Sequence, residues 1–257
     1  MRSHECDPTV PCIPAFWQFV QLRMEAFELR KRGLRSPDRV LASGWFPNVK
    51  RELDRGTIYF QERIAGGTPA IVISKSVVYR LLNRRQTFES YGGIPGPAEL
   101  APYRVWVSAA RARGEQLFTG RHQTIGFQRY LQALDFLDGP YSQELASVAQ
   151  EVQEGSRKGA WKKLQDLVPG VAAFTGWQII CDLMETYNLD ENLWAYMGPG
   201  PQGAYGMLTG TIGSQVQVLS LGRELQESSC NSYALSLKNV EHALCEYFRY
   251  TRSWWAI

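Results

Sequence analysis

The sequence predicts an all-α fold. Apolar residues recur at three- and four-residue intervals in one segment after another, Gly, Pro or Asn stands at the segment ends, and two-residue alternation is scarce. In the first segment, Phe16, Phe19, Val20, Met24 and Phe27 form one stripe between Pro14 and Arg32, and Gly33 stops it. Residues 1–13, with Pro8 and Pro11, read as an extended lead-in. After Trp45-Phe46-Pro47, Asn48 is a suitable N-cap for a helix from Val49 to about Arg63, which Gly66, Gly67 and Pro69 end. Ala70–Ile73 is the one strand-like stretch, and Ser74 then caps a helix reaching Asn83.

Further along, Tyr91–Pro97 is a cluster of breakers, and helices are expected over Ala101–Arg113, Gln128–Leu137 and Gln143–Glu154. A helix at Ala160–Leu167, a tight turn at Val168–Ala172 and a helix at Phe174–Tyr187 make one distinctive unit. Gly198–Gly213 reads as a glycine-rich connection before helices at Gln215–Gln226 and Lys238–Arg252. Residues 1–257 are expected to form one helical domain with room for two lobes.

Composition narrows the function. An apolar fraction of 44% and a charged fraction of 21% belong to a chain that folds. The aromatic share of 12% supplies buried area first, and flat surfaces for base stacking second. A net charge of +3 excludes nucleic-acid binding by bulk electrostatics, so DNA contact must be local. Arginines do cluster: Arg51 with Arg55; Arg80, Arg84 and Arg85; Arg111, Arg113 and Arg121. Cys6, Cys12, Cys181, Cys230 and Cys245 are scattered and odd in number, which predicts free thiols, no metal site and a reducing compartment. Neither a signal pattern nor a spanning apolar window is evident, so an intracellular protein without a membrane is expected.

Several residues carry candidate chemistry. On a helix, Asn48, Arg51 or Glu52, and Arg55 would project from one side, a cationic fork flanked by carboxylates that suits phosphate oxygens. From spacing alone, a solvated face with intrahelical ion pairs is the better explanation. Asn83 and Arg84 lie at a helix C-terminus, where cations are favoured in any case. His122, in a polar break, is more often a structural hydrogen-bonder than a catalyst. The turn Gly170-Val171-Ala172 between two helices has the form of a helix-hairpin-helix, whose N–H groups donate to a DNA phosphate. Asp182, among Ile179, Ile180 and Leu183, is either a buried structural group or a catalytic carboxylate. The Gly198–Gly203 run lacks a following Gly-Lys-Ser/Thr, which disfavours an ATP-dependent kinase.

Taken together, these residues resemble a known family. Phe46-Pro47-Asn48-Val49-Lys50-Arg51-Glu52-Leu53-Asp54-Arg55-Gly56-Thr57 is similar to the signature of the alpha-glutamyl/putrescinyl thymine pyrophosphorylases, also described as the helical domain accompanying 5-hydroxymethyluracil DNA kinases. Leu82-Asn83-Arg84, Phe118-Thr119-Gly120, Pro169-Gly170-Val171 through Cys181-Asp182-Leu183, Gly198-Pro199-Gly200 and Val240–Tyr247 match further elements in the same order. The resemblance implies a fold like the helix-hairpin-helix DNA glycosylases. It also implies a reaction in which the phosphate or pyrophosphate on 5-hydroxymethyluracil in DNA is replaced by an amine, such as an amino acid or putrescine. A 5-hydroxymethyluracil DNA kinase would be the pathway partner, in phage-infected bacterial cytoplasm or a eukaryotic nucleus, and no cofactor is implied.

In that chemistry Arg51, Arg55 and Arg84 would grip the leaving group, and Asn48 and Asn83 would orient it. Asp182 first, then Glu52 or Asp54, would accept the amine proton. The flipped base would lie against Tyr79, Trp177 or Tyr247, with His122 and Glu246 also in the substrate site. The chain departs from the pattern at Gln202 and Gly203, where the family has basic residues, at His122 and at Phe248-Arg249-Tyr250. Two other readings stay open: a glycosylase using Asp182 on a modified base, and a non-catalytic DNA-binding module.

Overall fold

Every regular element among the described residues is helical. The computed structural model describes residues 13–43, 46–64, 67–119, 125–139 and 142–254. Its backbone contacts divide into two units: unit 1, residues 1–54 and 194–257, and unit 2, residues 55–193. In chain order, unit 1 begins with α1 (Ile13–Lys31), α2 (Arg39–Ser43) and a 3-10 turn at Arg51–Leu53. Unit 2 holds α3 (Arg55–Ile64), α4 (Pro69–Leu82), α5 (Arg85–Tyr91), a 3-10 turn at Pro97–Glu99, α6 (Leu100–Ala112) and α7 (Phe127–Leu137). It continues with α8 (Ser142–Gln153), α9 (Arg157–Leu167) and α10 (Ala173–Thr186). The later part of unit 1 is α11 (Pro199–Thr209), α12 (Gln215–Glu227) and α13 (Leu237–Trp254).

In unit 1 the expected α1 stripe is core: Phe16, Phe19 and Val20 are buried against Val240, Ala243, Leu244 and Tyr247 of α13. Edge-to-face contacts of Phe16 and Phe19 with Tyr247 fix that packing. The glycine-rich stretch is not an open connection, because Pro199–Thr209 is helix α11, lying against α13. Pro199 suits the first helical turn, whose N–H would have no partner anyway. Gly203 permits the close approach: a Cβ there would sit 2.5 Å from the Phe248 ring. The Gly-Pro run is therefore a helix–helix contact rather than a phosphate loop.

Unit 2 is organised around α4, which packs on α8, α10, α3 and α7. The strand expected at Ala70–Ile73 is the first turn of this helix, and Ser74 lies inside it, buried, rather than at its cap. Its N-cap is Thr68 and Pro69 follows at N1, so the start signal lay six residues earlier than Ser74. A ladder of rings, Phe60–Tyr79–Phe88–Tyr103, fills the core.

The α9–turn–α10 unit forms as expected. Gly170 has φ +83°, and a Cβ on it would come within 2.9 Å of Ile125 and 3.3 Å of the Arg129 side chain. Trp161 Nε1 donates to the Ala173 carbonyl at 2.7 Å and staples the turn to α9. Among the described residues Cys181, Cys230 and Cys245 are free thiols, and no helix is long and apolar enough to cross a membrane. Cys6 and Cys12 lie outside the described residues.

Candidate functional site: a buried cationic cluster in unit 1

Asn48 does not cap an α-helix. Residues 46–50 are irregular, Arg51–Leu53 is a single 3-10 turn, Asp54 is extended, and the α-helix starts only at Arg55. Asn48, Arg51 and Arg55 therefore share no helical stripe. The physical reason is a local hydrogen-bonded loop that competes with the helix: Asp54 Oδ1 accepts from the Asn48 backbone N–H at 2.8 Å, while Asn48 Nδ2 donates to the Leu53 carbonyl at 2.9 Å. Residues 48–54 close into a compact loop.

Arg23 of α1 anchors that loop. Its guanidinium donates to the carbonyls of Phe46 and Pro47 and to Asn48 Oδ1, each at 2.8 Å. Burial pulls its pKa down to about 10, with Arg30 adding to the effect and Asp54 and Glu246 opposing it. From the other side, α13 reaches the loop through Asn239, which accepts from the Arg51 N–H at 2.9 Å and donates to Glu52 Oε2 at 3.0 Å.

The loop holds Arg51 in an unusual state. The residue is 4% exposed, its guanidinium makes no hydrogen bond or ion pair among the described residues, and its Nε is fully buried. Arg51 is close enough to His242 to oppose protonation of that imidazole. His242 Nε2 stands 3.4 Å from Asp54 Oδ2, long for a hydrogen bond and within ion-pair range. Burial disfavours the imidazolium most, yet Asp54, with help from Glu246, outweighs it and raises the His242 pKa.

One turn along α13, Glu246 is 5% exposed, and burial pushes its carboxyl above the usual range. The Cys245 thiol between them is pushed up strongly, first by burial and then by Glu241 and Glu246, so it is no thiolate nucleophile. Among the described residues the cluster thus leaves two buried guanidinium nitrogens, Arg23 Nη1 and Arg51 Nε, without a hydrogen-bond partner, while His242 Nε2 has only its long contact with Asp54. Buried guanidinium donors left open are costly to desolvate, and an anion arriving there would satisfy them.

The remaining sequence candidates lie in unit 2. Asp182 is 0% exposed and accepts from Ser76 Oγ at 2.5 Å, from Arg80 Nε at 2.8 Å and from Arg80 Nη2. Its partners are Ser76 and Arg80, not Arg55, Asn83 or Arg84. Arg55 is exposed at the first position of α3. Asn83 is the left-handed C-cap of α4, at φ 48°, and Arg84 is the half-buried N-cap of α5. Trp177, Tyr79 and, in unit 1, Tyr247 are all buried core rings. Val171 is buried at the α9–α10 turn, beside half-buried Gly170 and exposed Ala172. His122 lies outside the described residues.

Asn48, Arg51, Glu52 and Glu246 thus belong to unit 1, while Asp182, Asn83, Arg84 and Arg55 belong to unit 2. Sequence reasoning missed Arg23, Asn239 and His242 as members of the cluster. Among the described residues no group of three or more His, Cys, Asp or Glu is placed to hold a metal ion.

Among the described residues the protein is thus all helical, and unit 1 buries Arg51 near the Asp54–His242 contact. The chain belongs to the 5-hmdU DNA kinase helical-domain family, which it matches over residues 10–256. That membership links it to the modification of hydroxymethyluracil in DNA. No curated protein and no solved structure matches the chain.

Proposed function

We propose that the protein is a DNA base-hypermodification enzyme that replaces the phosphate or pyrophosphate on phosphorylated 5-hydroxymethyluracil in DNA with an amine, such as an amino acid or putrescine. The observation that carries this reading is Arg51, a buried residue whose Nε has no hydrogen-bond partner among the described residues, near the Asp54–His242 pair. In the reaction the amine nitrogen bonds to the exocyclic methylene carbon. The bond between that carbon and the phosphate ester oxygen breaks, and its electron pair leaves with the phosphate. Arg51 stabilises the charge that grows on this leaving group, and Arg23 and Asn48 hold the loop that presents it.

The proton lost by the amine goes to His242 or Glu246, with Asp54 orienting the imidazole. Asp182 is not given this role, because both of its oxygens are engaged by Ser76 and Arg80. The same engagement weakens the glycosylase alternative, which relies on that carboxylate. DNA backbone contact is assigned to the turn Gly170-Val171-Ala172, where the α10 N-terminus offers backbone N–H groups and the Arg129 stem packs against Gly170.

The test is mass analysis of nucleosides after incubation with DNA containing 5-(pyrophosphoryloxymethyl)uracil and a pool of amino acids and polyamines. The expected result is an N-linked thymine derivative with release of pyrophosphate, lost in the Arg51→Met variant. Release of free base would identify a glycosylase instead, and tight DNA binding without any product would identify a binding module.

A further inference from the structure

Unit 2 contains a cavity of about 120 Å³ that the proposed transfer reaction does not use. Its walls come from α4 (Ala70 and Ser74), the 3-10 turn (Pro97), α7 and its C-cap (Leu137 and Asp138) and α8 (Leu145). Two of these residues are polar, and neither has a side-chain partner among the described residues. Ser74 is 1% exposed, and its Oγ makes no hydrogen bond. A buried hydroxyl in that state has lost its water without replacement, and a ligand group in the cavity would restore the bond. Asp138 is exposed and makes no side-chain hydrogen bond or ion pair among the described residues. It occupies the C-cap of α7, where the helix dipole is negative.

The remaining walls, Ala70, Pro97, Leu137 and Leu145, are apolar. A cavity of about 150 Å³ accommodates a benzene ring, so this one has room for a short aliphatic chain. Lys75, next to Ser74, does not neutralise the arrangement: its Nζ turns to the Arg63 carbonyl at 3.5 Å.

We propose that this cavity binds a short aliphatic ammonium with a neutral hydrogen-bonding end, the ammonium at Asp138, the methylenes between the apolar walls and the neutral end on Ser74 Oγ. An α-amino acid is disfavoured because its carboxylate would face Asp138. A ligand charged at both ends is disfavoured because Ser74 alone cannot compensate a buried charge. The proposal stands independently of the transfer reaction, since it concerns binding to the unreacted protein.

The experiment is calorimetric titration of the full chain with 4-amino-1-butanol, with 1-butanol and glycine as controls. Binding of the amino alcohol above both controls is expected. Asp138→Asn should weaken it about twofold to fivefold, the size of a solvent-screened ion pair. Ser74→Ala should weaken it about twofold to tenfold, the range of one hydrogen bond, without lowering the melting temperature, since the hydroxyl has no partner to lose. No heat with 4-amino-1-butanol, equal binding of 1-butanol, or affinity unchanged in both variants would overturn the proposal.

Discussion

The two units each bury an arginine, and they do so on opposite principles. In unit 2, Asp182 and Arg80 form a bidentate pair and Ser76 binds the same carboxylate, so both charges are compensated by the fold. In unit 1, Arg51 is buried to a similar extent with no side-chain hydrogen bond or ion pair among the described residues, and Arg23 keeps its buried Nη1 without a hydrogen-bond partner. A compensated pair holds a core together and gains nothing from a ligand. An uncompensated cation lowers the stability of the empty protein and becomes favourable when an anion arrives. The difference separates a structural ionic cluster from a candidate binding site, although both look alike as charged residues in apolar segments.

The largest expected effect is on the compensated side. Asp182→Ala leaves Arg80 charged and buried without its partner, and should destabilise the protein by about 3–5 kcal/mol in chemical denaturation. A loss below about 1 kcal/mol would show that the pair is not what holds α4 to α10. Next comes Arg51→Met, which removes an unpartnered cation while keeping much of the apolar stem. Stability should stay level or rise, whereas turnover on the phosphorylated base should fall by roughly 10²–10³, as for other leaving-group donors. Equal losses of stability at Arg51 and Asp182 would erase the distinction between the clusters. A smaller effect is expected at Gly203→Ala, where the added methyl would press on Phe248. Overpacking of α11 on α13 should lower stability by about 1–3 kcal/mol without a direct effect on unit 2.

Much of this contrast was hidden from the sequence, for identifiable reasons. Helices α1, α6, α7 and α13 were legible because each has an apolar stripe that a neighbour buries. Helix α11 was not, because its glycines weigh against helix when read locally and favour it once α13 is there to pack against. The signal available was Pro199 at a helix start. Arg23 was also readable in principle: it falls between Phe19, Val20 and Phe27 on the core stripe of α1, where a cation needs a buried reason. His242 and Glu246 sit one turn apart among the buried apolar residues of α13 in the same way.

The partners were beyond reach, because Arg51 meets Asn239 across 188 residues of sequence. At Asp182 the sequence left structural and catalytic readings equally open, and only the placement of Ser76 and Arg80 favours the first. The stripe of Asn48, Arg51 and Arg55 failed because hydrogen bonds between Asn48 and Asp54 close a loop in place of the helix that the spacing assumed.

The finest test of the unit 1 cluster is the titration of His242. Its folded pKa is raised, with burial opposing the charge and Asp54 as the leading favourable influence. A histidine with a raised folded pKa contributes stability that is fully present below its unfolded pKa, about 6.5, and is lost as pH rises through the folded value. Asp54→Asn removes that favourable influence while leaving burial and Arg51 in place, so the His242 resonance should titrate at lower pH than in the parent. The Asn48 loop should persist, because an amide oxygen at position 54 still accepts from the Asn48 N–H. Stability of this variant should accordingly depend less on pH between about 6 and 8 than that of the parent. Saturating pyrophosphate should move His242 upward again in both proteins if an anion neutralises Arg51, the cation that opposes its protonation. An imidazole that ignores both the substitution and the anion would mean that Arg51, Asp54 and His242 do not act as one site, and the unit 1 cluster would then be as inert as the one around Asp182.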